Sequence, residues 1–174
     1  GTSFLPIFDT ANQKCYGLMA MVYCPNNQEK LCYDELINSA HQSGDAFWLG
    51  QRLFESMIEA GKDVYDAIKD KEFYMIFPVT TAVLENPDAS PLIDSLAKKA
   101  GLDASKITLY LRQLSPPDIE INIIKNLITL KNNGYKFCKS SKEQLSDSIL
   151  KEVEFDFCLM DFSSENDLGL LAKC

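Results

Sequence analysis

Short apolar runs alternate along the chain with longer amphipathic stretches. Phe4-Leu5-Pro6-Ile7-Phe8 is the first run, and the turn residues Asp9 to Asn12 close it. Cys15 to Tyr23 predicts a second strand, giving a hairpin-like opening that Pro25-Asn26-Asn27 breaks. Tyr33 to His41 reads as a helix. After Gly44-Asp45, residues Ala46, Leu49, Leu53, Met57 and Ala60 recur at helical spacing, and Phe47 and Trp48 widen that face. Phe73 to Phe77 is apolar throughout, which predicts a strand covered on both sides.

The second half repeats one unit. Ser90-Pro91 predicts a helix start, and Gly101 ends that helix after Ala100. Ile107 to Leu111 is a strand. Ser115-Pro116 predicts the start of a helix carrying Ile119, Ile123, Ile124, Leu127 and Leu130, which Asn133-Gly134 stops. Tyr135 to Cys138 is a strand, and Ser140 with Glu143 has the spacing of a capping box opening a helix to Lys151. Phe155 to Met160 is a strand, after which Ser163 or Ser164 begins a last helix. The pattern gives about six strands alternating with helices, hence an α/β fold with parallel strands and helical crossovers.

The chain has 174 residues, which predicts one domain over 1–174, or a fragment of a longer multidomain protein. Its 17 Lys and Arg against 25 Asp and Glu leave a net charge of −8. That balance argues against a nucleic-acid binder, which needs a basic face. No apolar run approaches the roughly 18 residues of a membrane span, so no membrane insertion is expected. The six cysteines form no C-x-x-C pair, and with His41 as the single histidine a zinc site has too few closely spaced ligands. Cys138 and Cys158 read as small buried hydrophobes, and the chain as reduced and cytoplasmic.

Standard catalytic signatures are missing. Gly61-Lys62 is followed by Asp63, so there is no phosphate-binding loop, and neither G-x-S-x-G nor H-E-x-x-H occurs. Ser95 to Lys98 and Ser148 to Lys151 match S-x-x-K but lie on amphipathic helices without partner motifs, where a solvated face explains them. His41 closes a helix ahead of Gly44, where a cation complements the helix dipole.

The order of these pieces resembles the EAL domain family, bacterial phosphodiesterases of cyclic di-GMP. Phe4 to Asp9 is similar to that family's opening Y-Q-P-I-x-D, and Tyr16 to Met21 falls where it has G-x-E-A-L. Ala40 to Leu49 resembles A-E-x-x-G-x-x-x-x-L-G, kept through Gly44, Leu49 and Gly50, and Gly101 to Lys106 is close to G-L-D-P-S-R. Asn133 to Lys136 resembles the G-V-x-I strand and Asp156 to Asp161 the D-x-L-K-I-D strand. The resemblance implies an EAL-type, TIM-barrel-like fold, incomplete at about six strand–helix units against the usual eight, with its site at the carboxyl ends of the strands. A truncated barrel would leave an open sheet edge, closed differently or by a partner.

The resemblance also implies two-metal hydrolysis, in which carboxylates hold magnesium or manganese. Here the signature glutamate falls on Met19, the asparagine of the next strand on Pro78, and the fourth-strand glutamate on Tyr110. The paired aspartates fall on Ser140 and Ser141, the assisting lysine on Leu159 and the opening glutamine on Leu5. Asp161 alone keeps its acidic identity. The expectation is a vestigial site without catalytic residues, metal or cofactor: a regulatory domain acting through a protein partner or a homodimer. A metal-independent cyclic di-GMP receptor is the second reading, disfavoured because only Arg112, Lys136 and Lys139 offer cations near strand ends. An enzyme of different chemistry, built on Tyr110, Arg112, Gln113 and Asp161, is a third.

Overall fold

Six of the seven residues of one central strand, β4 (Tyr74–Thr80), are buried, and they alternate between two separate apolar cores. Met75, Phe77 and Val79 face helices, while Ile76 faces the inside of a curled sheet. Successive strand residues point to opposite faces, so a strand covered on both sides needs an unbroken apolar run, as the sequence indicated. The computed structural model describes residues 1–11, 13–26, 29–68, 72–160 and 169–173.

Strand β1 (Thr2–Asp9) pairs antiparallel with β2 (Cys15–Asn26). Then β2, β4, β5 (Ile107–Arg112), β6 (Lys136–Ser140) and β7 (Phe157–Met160) follow one another in parallel. Strand β8 (Gly169–Lys173) lies antiparallel to β7 and parallel to β1. Pairing therefore returns to β1 and closes a ring, with β3 (Glu29–Cys32) attached to β2 alone. The six strands read from the pattern are all present, and β3 and β8 are additional. The open edge expected from the sequence is not there, because β8 pairs with β1. Residues Ser163 and Ser164 lie outside the described residues, and the segment 169–173 is a strand rather than part of a last helix.

Helices cover the outside: α1 (Tyr33–Ser43), α2 (Ala46–Ile68), α3 (Thr81–Leu84), α4 (Ala89–Lys99), α5 (Glu120–Asn132) and α6 (Asp147–Glu152). The fully buried Phe77, Leu109 and Phe137 pack against them from the sheet. Each such side chain stabilises the fold by roughly 1.5–3 kcal/mol. Helix α5 ends as the sequence indicated. Gly134 takes φ +101°, the Tyr135 N–H donates to the Leu130 carbonyl, and the Gly134 N–H donates to the Lys131 carbonyl. That double closure needs a left-handed residue, which glycine adopts without a Cβ clash. Gly101 ends α4 in the same way. Gly50 serves packing instead: a Cβ there would lie 2.2 Å from a Val83 methyl. His41 sits in the last turn of α1, as its reading as a helix-end cation requires.

Three helix starts differ from the sequence pattern. Helix α4 begins at Ala89 with Asp88 as its cap residue, two residues ahead of the start read from Ser90-Pro91. Helix α5 begins at Glu120, not at Ser115-Pro116. Pro117 disfavours helical backbone at Pro116 and holds that segment extended. Helix α6 begins at Asp147, where the Ser146 hydroxyl accepts from the Ile149 N–H at 3.3 Å. Ser140 and Glu143 instead form a turn after β6, closed by the Glu143 N–H on the Ser140 carbonyl.

A buried amide joins the β4 connection to α5. Asn126 accepts from the Ser90 N–H at 3.0 Å and donates to the carbonyls of Leu84 and Asn86, each at 2.8 Å. At the amino ends of the parallel strands an aromatic layer fills the ring. Tyr16 stacks on Tyr74 at 4.5 Å and meets Phe157 edge-on at 4.7 Å. The Tyr16 hydroxyl bonds Thr108, and Lys136 lies 4.2 Å from the centre of the Tyr74 ring and donates to the Tyr74 hydroxyl. Cys138 is fully buried in the ring interior and Cys158 is half-buried.

Replacing Asn126 by alanine strands one buried N–H and two carbonyls, so urea unfolding is expected to show a loss of about 2–4 kcal/mol. A loss below about 0.5 kcal/mol would show that the clamp is dispensable. Burial pushes the Tyr16 hydroxyl pKa far above its usual value, and burial together with Asp94 does the same for Tyr135. The neutral forms are thus favoured in the folded state. Their contribution is complete below the ordinary tyrosine range and is lost progressively as pH rises from that range toward the raised folded value, because the unfolded chain ionises first. In an alkaline titration followed by tyrosinate absorbance, these two side chains are expected to ionise only with global unfolding. Full ionisation with the circular dichroism still native would contradict this.

Candidate functional site

The carboxyl ends of β5, β6 and β7, with Met19 of β2, surround a cavity of about 450 Å³, lined by Met19, Tyr110, Arg112, Gln113, Ser140, Lys142, Glu143, Gln144 and Leu159. A smaller apolar pocket of about 110 Å³ adjoins it, sharing Met19, Tyr110 and Arg112 and adding Pro78 and Tyr33. In barrels of parallel strands this is the end where sites are built. The register explains the convergence, since Pro78 pairs with Tyr110, Tyr110 with Cys138, and Ser140 with Leu159.

Most of the positions singled out from the sequence meet here. Met19, Tyr110, Ser140, Leu159, Arg112 and Gln113 line the larger cavity, and Pro78 lines the smaller one. Leu5 packs deeper, against the inner core of Ile7, Ile76, Tyr110, Cys138, Phe157 and Leu159. Ser140 is buried, and its hydroxyl accepts from the Lys142 N–H at 3.2 Å. Ser141 is exposed, and its N–H donates to the Leu159 carbonyl at 3.0 Å. Lys139 does not line the cavity: strand alternation puts it on the face of Phe137, toward the helices. Asp161 lies outside the described residues.

The polar centre of the mouth is a residue read from the sequence as a helix cap. Glu143 accepts from Arg112 Nε at 2.9 Å through one carboxylate oxygen and from the Gln113 backbone N–H at 2.6 Å through the other. Its side chain is 7% exposed, against 28% for Arg112, whose guanidinium carbon lies 5.2 Å from the centre of the Tyr110 ring. Both donors are therefore engaged by one nearly dry carboxylate in charge-assisted geometry. The signal for this pairing was present: parallel neighbours end side by side, so an acid just past β6 meets a base at the end of β5. Buried polar side-chain atoms without a hydrogen-bond partner, among the described residues, are Thr80 Oγ1 and Gln113 Oε1, and both sit at this end of the sheet. Unpaired buried polar atoms are uncommon in folded proteins and point to a site.

Among the described residues, no group of three or more His, Cys, Asp and Glu side chains could hold a metal ion. Hard divalent cations need several oxygen donors, and among the described residues the one carboxylate lining this cavity already neutralises Arg112. The donor set of the described residues does not fit a two-metal centre.

No family model matches the sequence, and no curated protein sequence does. Solved structures do match. An EAL enzyme, Bd1971, in its cAMP and cyclic-di-GMP bound form, superposes with a TM-score of 0.71 at 16% identity, over 91% of this chain and 44% of that one. The chain has the EAL-domain fold. The EAL domain of Xanthomonas citri FimX, in complex with c-diGMP, gives 0.68 at 12% identity over 91% and 62%. That of Mycobacterium smegmatis DcpA gives 0.64 at 16% over 90% and 63%. The chain thus spans less than two thirds of each of these three EAL-fold chains. Among the described residues, no helix is long and apolar enough to cross a membrane.

Arg112→Gln leaves the Glu143 carboxylate nearly buried with one neutral donor. The expected outcome is a stability loss of about 1–3 kcal/mol, with amide hydrogen exchange accelerated across residues 141–146. Unchanged exchange in that segment would show that the pair does not hold the loop.

Proposed function

We propose that this chain is a catalytically inactive EAL-like regulatory domain that acts through protein–protein contact in a bacterial signalling pathway. The observation that carries the reading is the chemistry of the mouth. Among the described residues it presents Met19, Pro78, Tyr110 and Leu159 where metal-ligating or proton-handling groups would be needed, and Glu143 is committed to Arg112. Apolar filling of a barrel interior removes the repulsion and desolvation cost of clustered carboxylates, so the fold gains where catalysis loses. The outer face offers material for a partner: Trp48, 60% exposed, sits beside Leu36 and Leu49 at a cavity of about 610 Å³ between α1 and α2. Exposed tryptophan beside apolar neighbours suits a contact anchor.

A second reading, a metal-independent cyclic di-GMP receptor, draws on the same 450 Å³ cavity, where Arg112, Lys142 and Tyr110 could meet phosphate and base. Relatives in fold are described with that ligand bound. Against it stands the neutralisation of Arg112 by Glu143.

One pair of measurements tests both readings. Incubated with cyclic di-GMP and either magnesium or manganese, the chain is expected to release no linear dinucleotide, and calorimetry without metal is expected to show no binding tighter than about micromolar. Turnover would overturn the inactive reading; tight metal-free binding would establish the receptor in its place.

A further inference from the structure

Two fixed hydrogen-bond donors, Arg112 Nε–H and the Gln113 backbone N–H, converge on a single pair of oxygens at the mouth, those of Glu143. We propose that these donors form a cradle for a phosphate-type oxyanion, and that Glu143 is its tethered internal occupant. The β6–α6 loop that carries Glu143 is then a latch that keeps the cradle closed. This rests on the second reading above, in which the mouth binds an anion without metal.

The cradle has support that does not come from Glu143. The Tyr110 ring lies beneath the Arg112 guanidinium, and the Gln113 N–H follows directly on strand β5. Lys142 lines the same cavity and adds positive charge. The unpaired Gln113 Oε1 is an acceptor that a protonated phosphate oxygen can satisfy, which a carboxylate cannot do. The loop is held by the Ser141 N–H on Leu159, by the Ser146 hydroxyl on Glu120 and by Leu145, buried in the outer core, so the latch motion is confined to residues 142–144. Between them Lys142 and Gln144 are exposed, and the Glu143 side chain supplies the tie to β5. Opening exchanges one anion for another on the same donors, with no covalent step, so it costs mainly the competition with a tethered group.

A site that is open only part of the time shows its affinity reduced by that fraction. Calorimetry with inorganic phosphate in the presence of EDTA, on the full chain, reads the effect. Relative to wild type, Glu143→Ala is expected to bind phosphate at least about tenfold more tightly, and Arg112→Gln combined with Glu143→Ala is expected to lose that gain. Circular dichroism establishes that each variant is folded. If Glu143→Ala does not fold, Glu143→Gln, which keeps the side-chain volume, is read by the same criteria. A folded Glu143 variant that binds no better than wild type either in EDTA or with magnesium, or a gain that survives in the double variant, overturns the latch. Repeating the titration with magnesium separates the two ideas: a gain that requires the ion overturns the metal-free reading of the mouth while leaving the cradle standing.

Discussion

Ring closure is the constraint on which the rest of this molecule depends. A parallel sheet cannot end on a bare edge without offering unpaired N–H and C=O groups to solvent or to another chain. Here β1 satisfies both sides, running antiparallel to β2 and parallel to β8. Closure makes the inside a separate compartment, so one core lies within the strands and another between strands and helices. It also gathers the carboxyl ends of the parallel strands around one opening, which is why residues as far apart in sequence as Met19 and Leu159 share a cavity.

That opening is chemically unusual for its position. Barrel mouths of this kind ordinarily concentrate charge, and charge there must be held apart from apolar walls by metals or water. In this chain the walls come forward instead, with a thioether, a proline ring, a phenol and a leucine, and Arg112 is neutralised by Glu143 while Lys142 keeps its charge at the rim. The packing that results is easier to sustain than a cluster of carboxylates. The same economy explains why the polar atoms left unpaired, Thr80 Oγ1 and Gln113 Oε1, stand out.

Much of this was legible in the residues. The six main strands followed from apolar runs bounded by turn residues, and the ends of α4 and α5 from Gly101 and Gly134, because a left-handed closing residue is a local requirement. Helix starts were less legible, since a serine followed by an acid describes a cap only if the acid is free to turn back. Glu143 is drawn to Arg112 across the sheet, so α6 waits for Ser146. Closure by β8 could not be read at all, because pairing with β1 is a contact between the two ends of the chain. Lys139 shows the reverse error: it is near a strand end in sequence, yet one step of alternation turns it to the helical side.

The stack of Tyr16, Tyr74 and Phe157 under Lys136 has a consequence for traffic. It stoppers the far end, so the interior is a blind vessel and not a conduit. Whatever settles in the mouth has to leave by the way it came, past the segments that follow β5 and β6.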